Sequence, residues 1–495
     1  MPFSYDEVVY PGLPYGQTHP SRLASLGTLF GMNPAPVGRC RVLEIACGNG
    51  GNLVPMAFEL EHSEFLGIDL AETAIEAGRR EIAELGLGNV RLERMDVMEA
   101  GPGLGTFDYI IAHGFYSWVP APVREKLLEV VRDCLAPQGV AYVSYNALPG
   151  CRIRELLRET MLFHARGAGD PAARVDRGRQ ILQWLTESYC APGISRGFLK
   201  DEAQSMLDRA PQFLYHDEMA EVFYPVYFQD FAAHAARLGL QYLSEANYFD
   251  TQPGKIPEAI AGEVRRIAGC DRILEEQYYD LLKCRMFRQT LLCHSGAAGA
   301  QPIAGRISGL FAASSATPVS PRPEFGDKAE EFVGPRGSSA KTAHPLAKAA
   351  LFTLGQAWPE GIPFPDLLAA ASRLAGDEES PESLAEILMA TYSAGMVELR
   401  AHAVGCTGRI GDRPKAATLA RSQAARGQLI TTALHSTIDC GDDIERRLIT
   451  LMDGTRDFPA LARHLAPVAG RPEEAVAEVI RANVATLARA GILVE

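Results

Sequence analysis

A short glycine-rich segment follows the first apolar run of the chain that predicts a buried strand. Val42, Leu43 and Ile45 supply that run, which ends at residues 47–51, Cys-Gly-Asn-Gly-Gly. Glycine has no Cβ and adopts positive φ easily, so such a turn lets the backbone approach a ligand closely. The turn reads G-N-G-G-N and fits the dinucleotide fingerprint G-x-G-x-x-G poorly. Taken alone, it is a weak indication of a nucleotide site.

Carboxylates at the ends of the next two predicted strands strengthen that indication. Asp69 ends the segment G-I-D-L, and Asp96 lies in R-M-D-V. Nucleoside-binding α/β proteins hold ribose hydroxyls with a carboxylate in the first of these positions. A fourth strand is predicted over 107–113, and a P-Q-G turn leads into a fifth over 141–145. These elements predict a doubly wound domain, with NAD or another nucleotide as the alternative ligand.

The same order of motifs, from Val42 to Asn146, resembles the class I S-adenosylmethionine-dependent methyltransferases. That resemblance implies a Rossmann-like sheet, S-adenosylmethionine as cofactor and S-adenosylhomocysteine as product. It also implies that the backbone of Gly48 and Gly50 lies against the methionine part, Asp69 at the ribose and Asp96 at the adenine. The candidate cofactor-binding residues are Tyr15, Arg22, Glu44, Ala46, Gly48, Asn49, Gly50, Asn52, Asp69, Leu70, Asp96, Val97, Ala112 and His113.

Candidate groups for the methyl-accepting side follow the fourth and fifth strands. The loop 113–120 reads H-G-F-Y-S-W-V-P, and its aromatic rings predict a face that attracts a cation. Polar groups at the carboxyl ends of strands are often functional. The candidate catalytic residues are therefore His113, Tyr116, Trp118, Tyr145 and Asn146. Two alternatives stay open: Trp118 packs the next helix against the core, and His113 holds the methionine end instead of acting as a base.

Length, charge and cysteine content limit the classes of protein to which this chain could belong. A chain of 495 residues predicts two to four domains, and its net charge of −13 argues against general nucleic-acid binding. An acidic surface suits a basic or lysine-bearing substrate. No apolar run predicts a membrane span, and the N-terminus has no signal-peptide pattern. The ten cysteines are scattered without a C-x-x-C pair, which predicts reduced thiols, a cytoplasmic location and no metal site.

Periodicity and composition divide the chain further. Three predicted helices followed by a strand resemble a winged-helix module, and a similar unit ends the chain. Because its candidate recognition helix, 473–489, has few basic residues, we predict protein contact there rather than DNA binding. The predicted regions are a lid segment (1–40), the cofactor-binding core (41–150), a helical insertion or cap (151–215), the rest of the methyltransferase fold with the regulatory region (216–297), a linker or hairpin (298–343), a winged-helix-like middle domain (344–402) and a winged-helix-like C-terminal domain (403–495).

Phrases along the whole chain resemble one family of bacterial methyltransferases, those with a methyltransferase regulatory domain. They include Y-P-G-L-P-Y-G-Q-T-H-P over 10–20, Y-H-D over 215–217 and L-M-D-G-T-R-D over 451–457. Rickettsial protein lysine methyltransferases belong to this group. The resemblance implies methyl transfer to protein lysine by in-line displacement, with a small molecule or peptide natural product as the alternative acceptor, and a possible homodimer. Leu148 and Cys151 stand where aromatic residues are expected, which predicts a different substrate.

Overall fold

The structure is a computed structural model that describes Val8 and residues 10–188, 194–376 and 380–494. Its centre is a seven-stranded sheet with the order β3-β2-β1-β4-β5-β7-β6. Only β7 runs antiparallel to its neighbours, β5 and β6. The strands are β1 (Arg41–Ile45), β2 (Glu64–Asp69), β3 (Val90–Arg94), β4 (Phe107–Ala112), β5 (Leu135–Asn146), β6 (Leu240–Glu245) and β7 (Phe287–His294). This Rossmann-like topology confirms the predicted fold class.

Helices cover both faces of this sheet, and its strands are apolar for that reason. Leu43 and Val143 pack into one layer of core, whereas Val42 and Tyr142 pack into the other. Because successive side chains of a strand point to opposite faces, each strand supplies both layers. The helices are α1 (Pro20–Leu29), α2 (Leu53–Glu59), α3 (Glu72–Leu85), α4 (Ala121–Cys134), α8 (Phe228–Arg237), α9 (Glu258–Ala268) and α10 (Arg272–Lys283).

A helical insertion leaves the sheet after β5. It comprises α5 (Cys151–His164), α6 (Pro171–Ser188) and α7 (Ile194–Leu207), followed by the helical turns Pro211–Phe213 and Leu214–Glu218. Leu157, Met161, Leu182 and Met206 form a separate core inside it. Its chain returns through Val226, which pairs with Ala147 at the end of β5. The insertion therefore lies beside the carboxyl edge of the sheet.

The middle unit is built around a small sheet of order β12-β8-β13. Its elements are β8 (Phe311–Ala313), β9 (Thr317–Pro318), β10 (Glu330–Val333), β11 (Ser339–Thr342), α11 (Pro345–Ala357), β12 (Ile362–Pro363), α12 (Phe364–Ala375), α13 (Pro381–Ser393) and β13 (Glu398–Arg400). β10 and β11 pair as an antiparallel hairpin.

The segment 298–343, which composition predicts to be a linker or hairpin, thus supplies β8 to the sheet of the middle unit. A Cβ added to Gly355 on α11 would lie 2.0 Å from the carbonyl oxygen of Ala316, so the segment packs directly against that helix.

The C-terminal unit has its own core and lies against the methyltransferase sheet. It contains α14 (Thr418–Ala425), β14 (Ile430–Thr431), β15 (Thr437–Ile438), α15 (Asp443–Leu451), α16 (Phe458–Ala469) and α17 (Glu473–Arg489). Arg426 pairs with Glu81 and Glu84 on α3. Among the described residues, no helix is both long and apolar enough to cross a membrane.

Candidate active site

The glycine-rich turn after β1 is open on one side and covered on the other. Ala46, Gly48 and Gly50 have positive φ, at 60°, 54° and 77°. A Cβ added to Gly48 would meet nothing within 4 Å, whereas one added to Gly51 would lie 2.4 Å from the carbonyl carbon of Gly12. The N-terminal segment therefore sits directly on the turn and leaves the Gly48 side accessible to a ligand.

Two carboxylates lie at the same edge of the sheet as the turn. Asp69 accepts hydrogen bonds from the N–H of Gly48 and of Ala71, both at 2.8 Å. Asp96 accepts from the N–H of Met98 at 2.9 Å. These bonds fix the carboxylates at the ends of β2 and β3. Of the other predicted contacts, Leu70 is exposed, Val97 and Ala112 are buried, and the Asn49 side chain accepts from the N–H of Gly51.

Glu44 and Asn52 form a buried pair behind the turn. Glu44 Oε1 accepts from Asn52 Nδ2 at 2.7 Å, and no partner is found for its buried Oε2 within the described chain. Burial raises the pKa of Glu44 to about 8. Asn52 Oδ1 in turn accepts from the N–H of Tyr15 at 2.9 Å. A cationic group brought to Glu44 would find one carboxylate oxygen available.

His113 ends β4 beneath the N-terminal segment. Its ring lies 3.9 Å, centroid to centroid, from the ring of Tyr15. Nδ1 is 2.9 Å from the hydroxyl of Tyr142, whose pKa is raised by burial, so that hydroxyl keeps its proton and can donate it. Burial lowers the pKa of His113 to about 4. A neutral imidazole whose Nδ1 already accepts a hydrogen bond is suited to holding a ligand and poorly suited to general-base catalysis.

Tyr142 was missed by the sequence reasoning. The signal that could have found it is the period-two alternation of β5. This alternation places Tyr142, Ser144 and Asn146 on the face that meets His113, where Ser144 Oγ accepts from the N–H of Gly114 at 2.7 Å. Asn146, a predicted catalytic residue, lies at the end of that row with its side-chain oxygen beside Cys151.

Tyr145 and Tyr116 do not reach this crevice, which corrects their prediction as catalytic residues. Tyr145 points to the opposite face, where its ring stacks on Phe231 at 4.2 Å and its hydroxyl bonds Thr290 at 3.0 Å. The Tyr116 ring meets the same Phe231 edge-on at 5.0 Å, and its hydroxyl bonds His234 at 2.8 Å. Strand alternation sends the Tyr145 side chain into the core, and Tyr116 packs there beside it.

Trp118 contacts the helical insertion. Its ring packs against Phe223 with centroids 5.0 Å apart, and the guanidinium of Arg158 on α5 lies 5.8 Å from it. Because Trp118 is only half-buried, the ring also borders solvent. It therefore joins the loop after β4 to the insertion.

A pocket of about 210 Å³ opens between the end of β6 and the start of β7. It is lined by Glu245, Asn247, Asp250, Arg285, Phe287 and Gln289. The Phe287 ring meets the His113 ring edge-on with centroids 6.2 Å apart, so the pocket adjoins the crevice. Arg22, a predicted cofactor contact, reaches this side instead and donates to Asn247 Oδ1 at 2.7 Å.

The carboxylates of the pocket differ in their partners. Glu245 accepts from the guanidinium of Arg288 at 2.7 Å and from the N–H of Gln289 at 2.8 Å. The pKa of Asp250 is raised, chiefly by burial and against the opposing effect of Arg285. The Arg288 guanidinium compensates the Glu245 carboxylate, so Asp250 is the lining carboxylate that a cation could approach.

Three families match parts of the chain. Residues 43–141 match the family described as a methyltransferase domain, and residues 210–294 match the predicted methyltransferase regulatory domain. Residues 412–479 match the family described as the PKMT C-terminal winged helix domain. The three matches follow one another along the chain in the order of its structural units.

Two uncharacterized proteins of Rickettsia prowazekii (strain Madrid E) are similar to the chain. One is 35% identical over 292 residues, which are 59% of this chain and 52% of that protein. The other is 35% identical over 235 residues, which are 47% of this chain and 94% of that protein. The chain therefore spans about half the length of the first relative and nearly all of the second.

A solved structure is similar over almost the whole chain. PKMT2 from Rickettsia typhi, in complex with AdoHcy, superposes with a TM-score of 0.87 and 26% identity, covering 98% of this chain and 100% of that one. The sheet topology, the glycine-rich turn and these likenesses agree on cofactor and fold. The chain belongs to the class I S-adenosylmethionine-dependent methyltransferases that carry a methyltransferase regulatory domain.

Proposed function

We propose that this protein transfers methyl groups from S-adenosylmethionine to lysine side chains of a protein or peptide. The observation that carries the proposal is the pocket beside His113, whose Asp250 carboxylate suits the ammonium group of lysine. The structural similarity to PKMT2 of Rickettsia typhi, together with the resemblance of the sequence to protein lysine methyltransferases, supports the same acceptor. The alternative acceptor, a small molecule or peptide natural product, is an outcome of the test below.

The residues around the glycine-rich turn fit the proposed cofactor. Open space beside Gly48 admits a ligand, and the available oxygen of Glu44 suits the methionine ammonium. We assign Asp69 to the ribose and Asp96 to the adenine, as the resemblance to class I enzymes implies. When bound, the sulfonium supplies an electrophilic methyl group. Tyr15 and His113 would cover this end of the site and exclude water from it.

The acceptor pocket has to attract the lysine ammonium group and then accept a proton from it, so that the nitrogen is neutral before methyl transfer. The Asp250 carboxylate attracts the cation. A lysine nitrogen must lose a proton before its lone pair can attack, and a carboxylate of raised pKa is a better proton acceptor than an exposed one. Asp250 is such a group, and we assign it that role. Asn146, at the end of β5, is proposed as a further acceptor contact.

The proposal extends to assembly and location. Phe163, Trp184 and Phe198 on the helical insertion are 66%, 58% and 57% exposed, and such side chains are common at contacts between protein copies. We propose a homodimer formed there, which light scattering of the native chain and of Trp184→Glu would test. The nine cysteines of the described residues are free thiols, which supports a cytoplasmic location.

The test compares acceptor peptides and two matched variants. Native protein, S-adenosylmethionine and a lysine-rich peptide are incubated, and methylation is read by mass spectrometry against the same peptide with arginine at each lysine. Asp250→Asn should lower kcat/KM about tenfold or more with unchanged cofactor affinity, because it removes the proton acceptor. Asp412→Asn, the same change at an exposed position, should have no effect. Methyl transfer only into small-molecule extracts would favour the alternative acceptor and contradict the lysine proposal.

A further inference from the structure

One side chain of the C-terminal unit reaches the cofactor turn. His435 lies 383 residues after Asn52 in the sequence, yet its Nε2 is 2.8 Å from Asn52 Oδ1. His435 is 3% exposed and follows β14 in the turn before β15. Its backbone also lies close to the N-terminal segment, since a Cβ added to Gly16 would be 3.3 Å from the His435 carbonyl oxygen. Three parts of the chain therefore meet at Asn52.

The hydrogen-bond directions at Asn52 are determined by its neighbours. Asn52 Oδ1 accepts from the backbone N–H of Tyr15, which can only donate, so Oδ1 is the accepting end and Nδ2 donates to Glu44. His435 must then donate from Nε2. Burial and the neighbouring His19 ring, 5.3 Å away, lower the pKa of His435 well below its ordinary value. The imidazole is neutral with its proton on Nε2.

The backbone of His435 adopts an unfavourable conformation at this contact. Its φ is +52°, in the left-handed region. That region is unfavourable for a residue with a Cβ, and glycine or asparagine tolerates it better. The N–H of His435 donates to Thr432 at 3.0 Å, which holds the turn in place. An imidazole is therefore kept at a position where a different residue would suit the backbone better.

We infer that His435 is a positioning residue of the cofactor site, holding the Asn52 amide so that its N–H faces Glu44, and that docking of the C-terminal unit is thereby coupled to cofactor affinity. The inference rests on the proposed placement of the cofactor at the glycine-rich turn. Coupling between two sites is reciprocal, so cofactor binding must also stabilise the docked arrangement.

A second contact between the same two units offers a control. Arg426 pairs with Glu81 and Glu84 on α3, and no hydrogen bond or ion pair recorded in the described chain connects that pair to Asn52 or Glu44. Arg426→Ala weakens the contact between the C-terminal unit and α3. It leaves intact the hydrogen bonds from His435 through Asn52 to Glu44. It separates loss of docking in general from loss of the His435 bond.

Calorimetry with S-adenosylhomocysteine tests the inference on the full chain. His435→Asn is compatible with the backbone, and its side chain is too short to reach Asn52. It should bind about 5–10-fold more weakly, as expected for one buried hydrogen bond. Its thermal midpoint without ligand should be unchanged or higher, because strain is relieved. Arg426→Ala should bind as the native chain does, and His435→Gly repeats the test with a second backbone-compatible residue.

Hydrogen exchange supplies a readout that activity does not. S-adenosylhomocysteine should slow exchange of the amides in 430–438 in the native chain and much less so in His435→Asn. If the native chain binds S-adenosylhomocysteine and both His435 variants bind it within twofold of the native affinity, this inference is overturned and the cofactor placement stands. Failure of the native chain to bind would overturn the cofactor placement together with it.

Discussion

The two halves of the carboxyl edge of the sheet are built in different ways. The cofactor half, at β1 to β3, has carboxylates bonded by backbone N–H groups, as in the contact of Asp69 with Gly48. The half proposed to receive the acceptor, at β5 to β7, depends on a buried guanidinium: Arg288 bonds Glu245, Glu276 and Asp280 at 2.7–3.0 Å. Backbone geometry therefore shapes the first half, and compensation of buried charge shapes the second.

The difference teaches where each half is vulnerable. A backbone-built site tolerates changes of side chain but not added volume where two segments touch. A site built on buried charges tolerates changes of volume poorly. It tolerates the loss of its cation least, because each buried carboxylate left unpaired lowers the free energy of unfolding. Substitutions in the two halves should accordingly differ in kind as well as in size.

The largest effect is expected for Arg288→Leu. Arg288 is 1% exposed, and its removal leaves Glu245, Glu276 and Asp280 buried without their main cation. The free energy of unfolding at pH 7 should fall by about 3–5 kcal/mol, measured by chemical denaturation. Arg237→Leu, at an exposed ion pair, is the control and should cost at most about 1 kcal/mol. Equal losses in the two variants would show that the buried network does not hold this half together.

The next effect is expected for Gly51→Ala in the cofactor half. The new Cβ would collide with Gly12 at 2.4–2.6 Å, so the N-terminal segment must move away from the turn. Affinity for S-adenosylhomocysteine should fall about tenfold or more, at a cost of roughly 1–3 kcal/mol typical of overpacking. Gly88→Ala, where a Cβ meets nothing within 4 Å, should leave it unchanged. Unchanged affinity in Gly51→Ala would exclude the N-terminal segment from the site.

A pH dependence is expected from Glu44. Its pKa of about 8 lies above the ordinary carboxyl value, so it holds a proton in the folded protein over a range in which the unfolded chain has lost it. Its contribution to stability therefore falls as pH rises through that range. A bound ammonium would lower this pKa, release the proton and make affinity rise with pH up to about 8.

Calorimetry in buffers of different ionisation enthalpy should detect that proton release. Below pH 8 the affinity should increase by at most about tenfold per pH unit. Glu44→Gln should bind more weakly at pH 8, with the slope lost. A slope that persists in Glu44→Gln would assign the titration to another group.

The smallest effect is expected for Tyr116→Phe. The Tyr116 hydroxyl bonds His234 on the core side of the sheet, away from the pocket. The change should cost about 1 kcal/mol of unfolding free energy for the lost bond, with kcat altered less than about twofold. Thermal denaturation and initial rates measure the two quantities. A collapse of kcat with intact stability would restore the catalytic role that the structure removes.

Prediction from sequence was most successful where function depends on short segments. The carboxylates Glu44, Asp69 and Asp96, at or next to the ends of their strands, could be located from the sequence. In each case an apolar run, a turn and a carboxylate are contiguous. Tyr145 was misjudged because the face to which a side chain at a strand end points depends on register, as its pairing opposite Arg288 shows. The pocket around Asp250 could not be predicted, since it is made by β6 and β7, which follow the helical insertion.

The amino-acid sequence by itself determined the class of fold and the glycine-rich turn, because these follow from local patterns of apolar residues, glycines and carboxylates. The cofactor was implied by the resemblance of the ordered motifs to a known family. Only the tertiary structure decided which side chains share the crevice. It brought His435 to Asn52 across 383 positions and Arg22 to Asn247 across 225. Such contacts depend on how elements that are distant in the chain pack together, and that packing leaves no periodic pattern in the sequence.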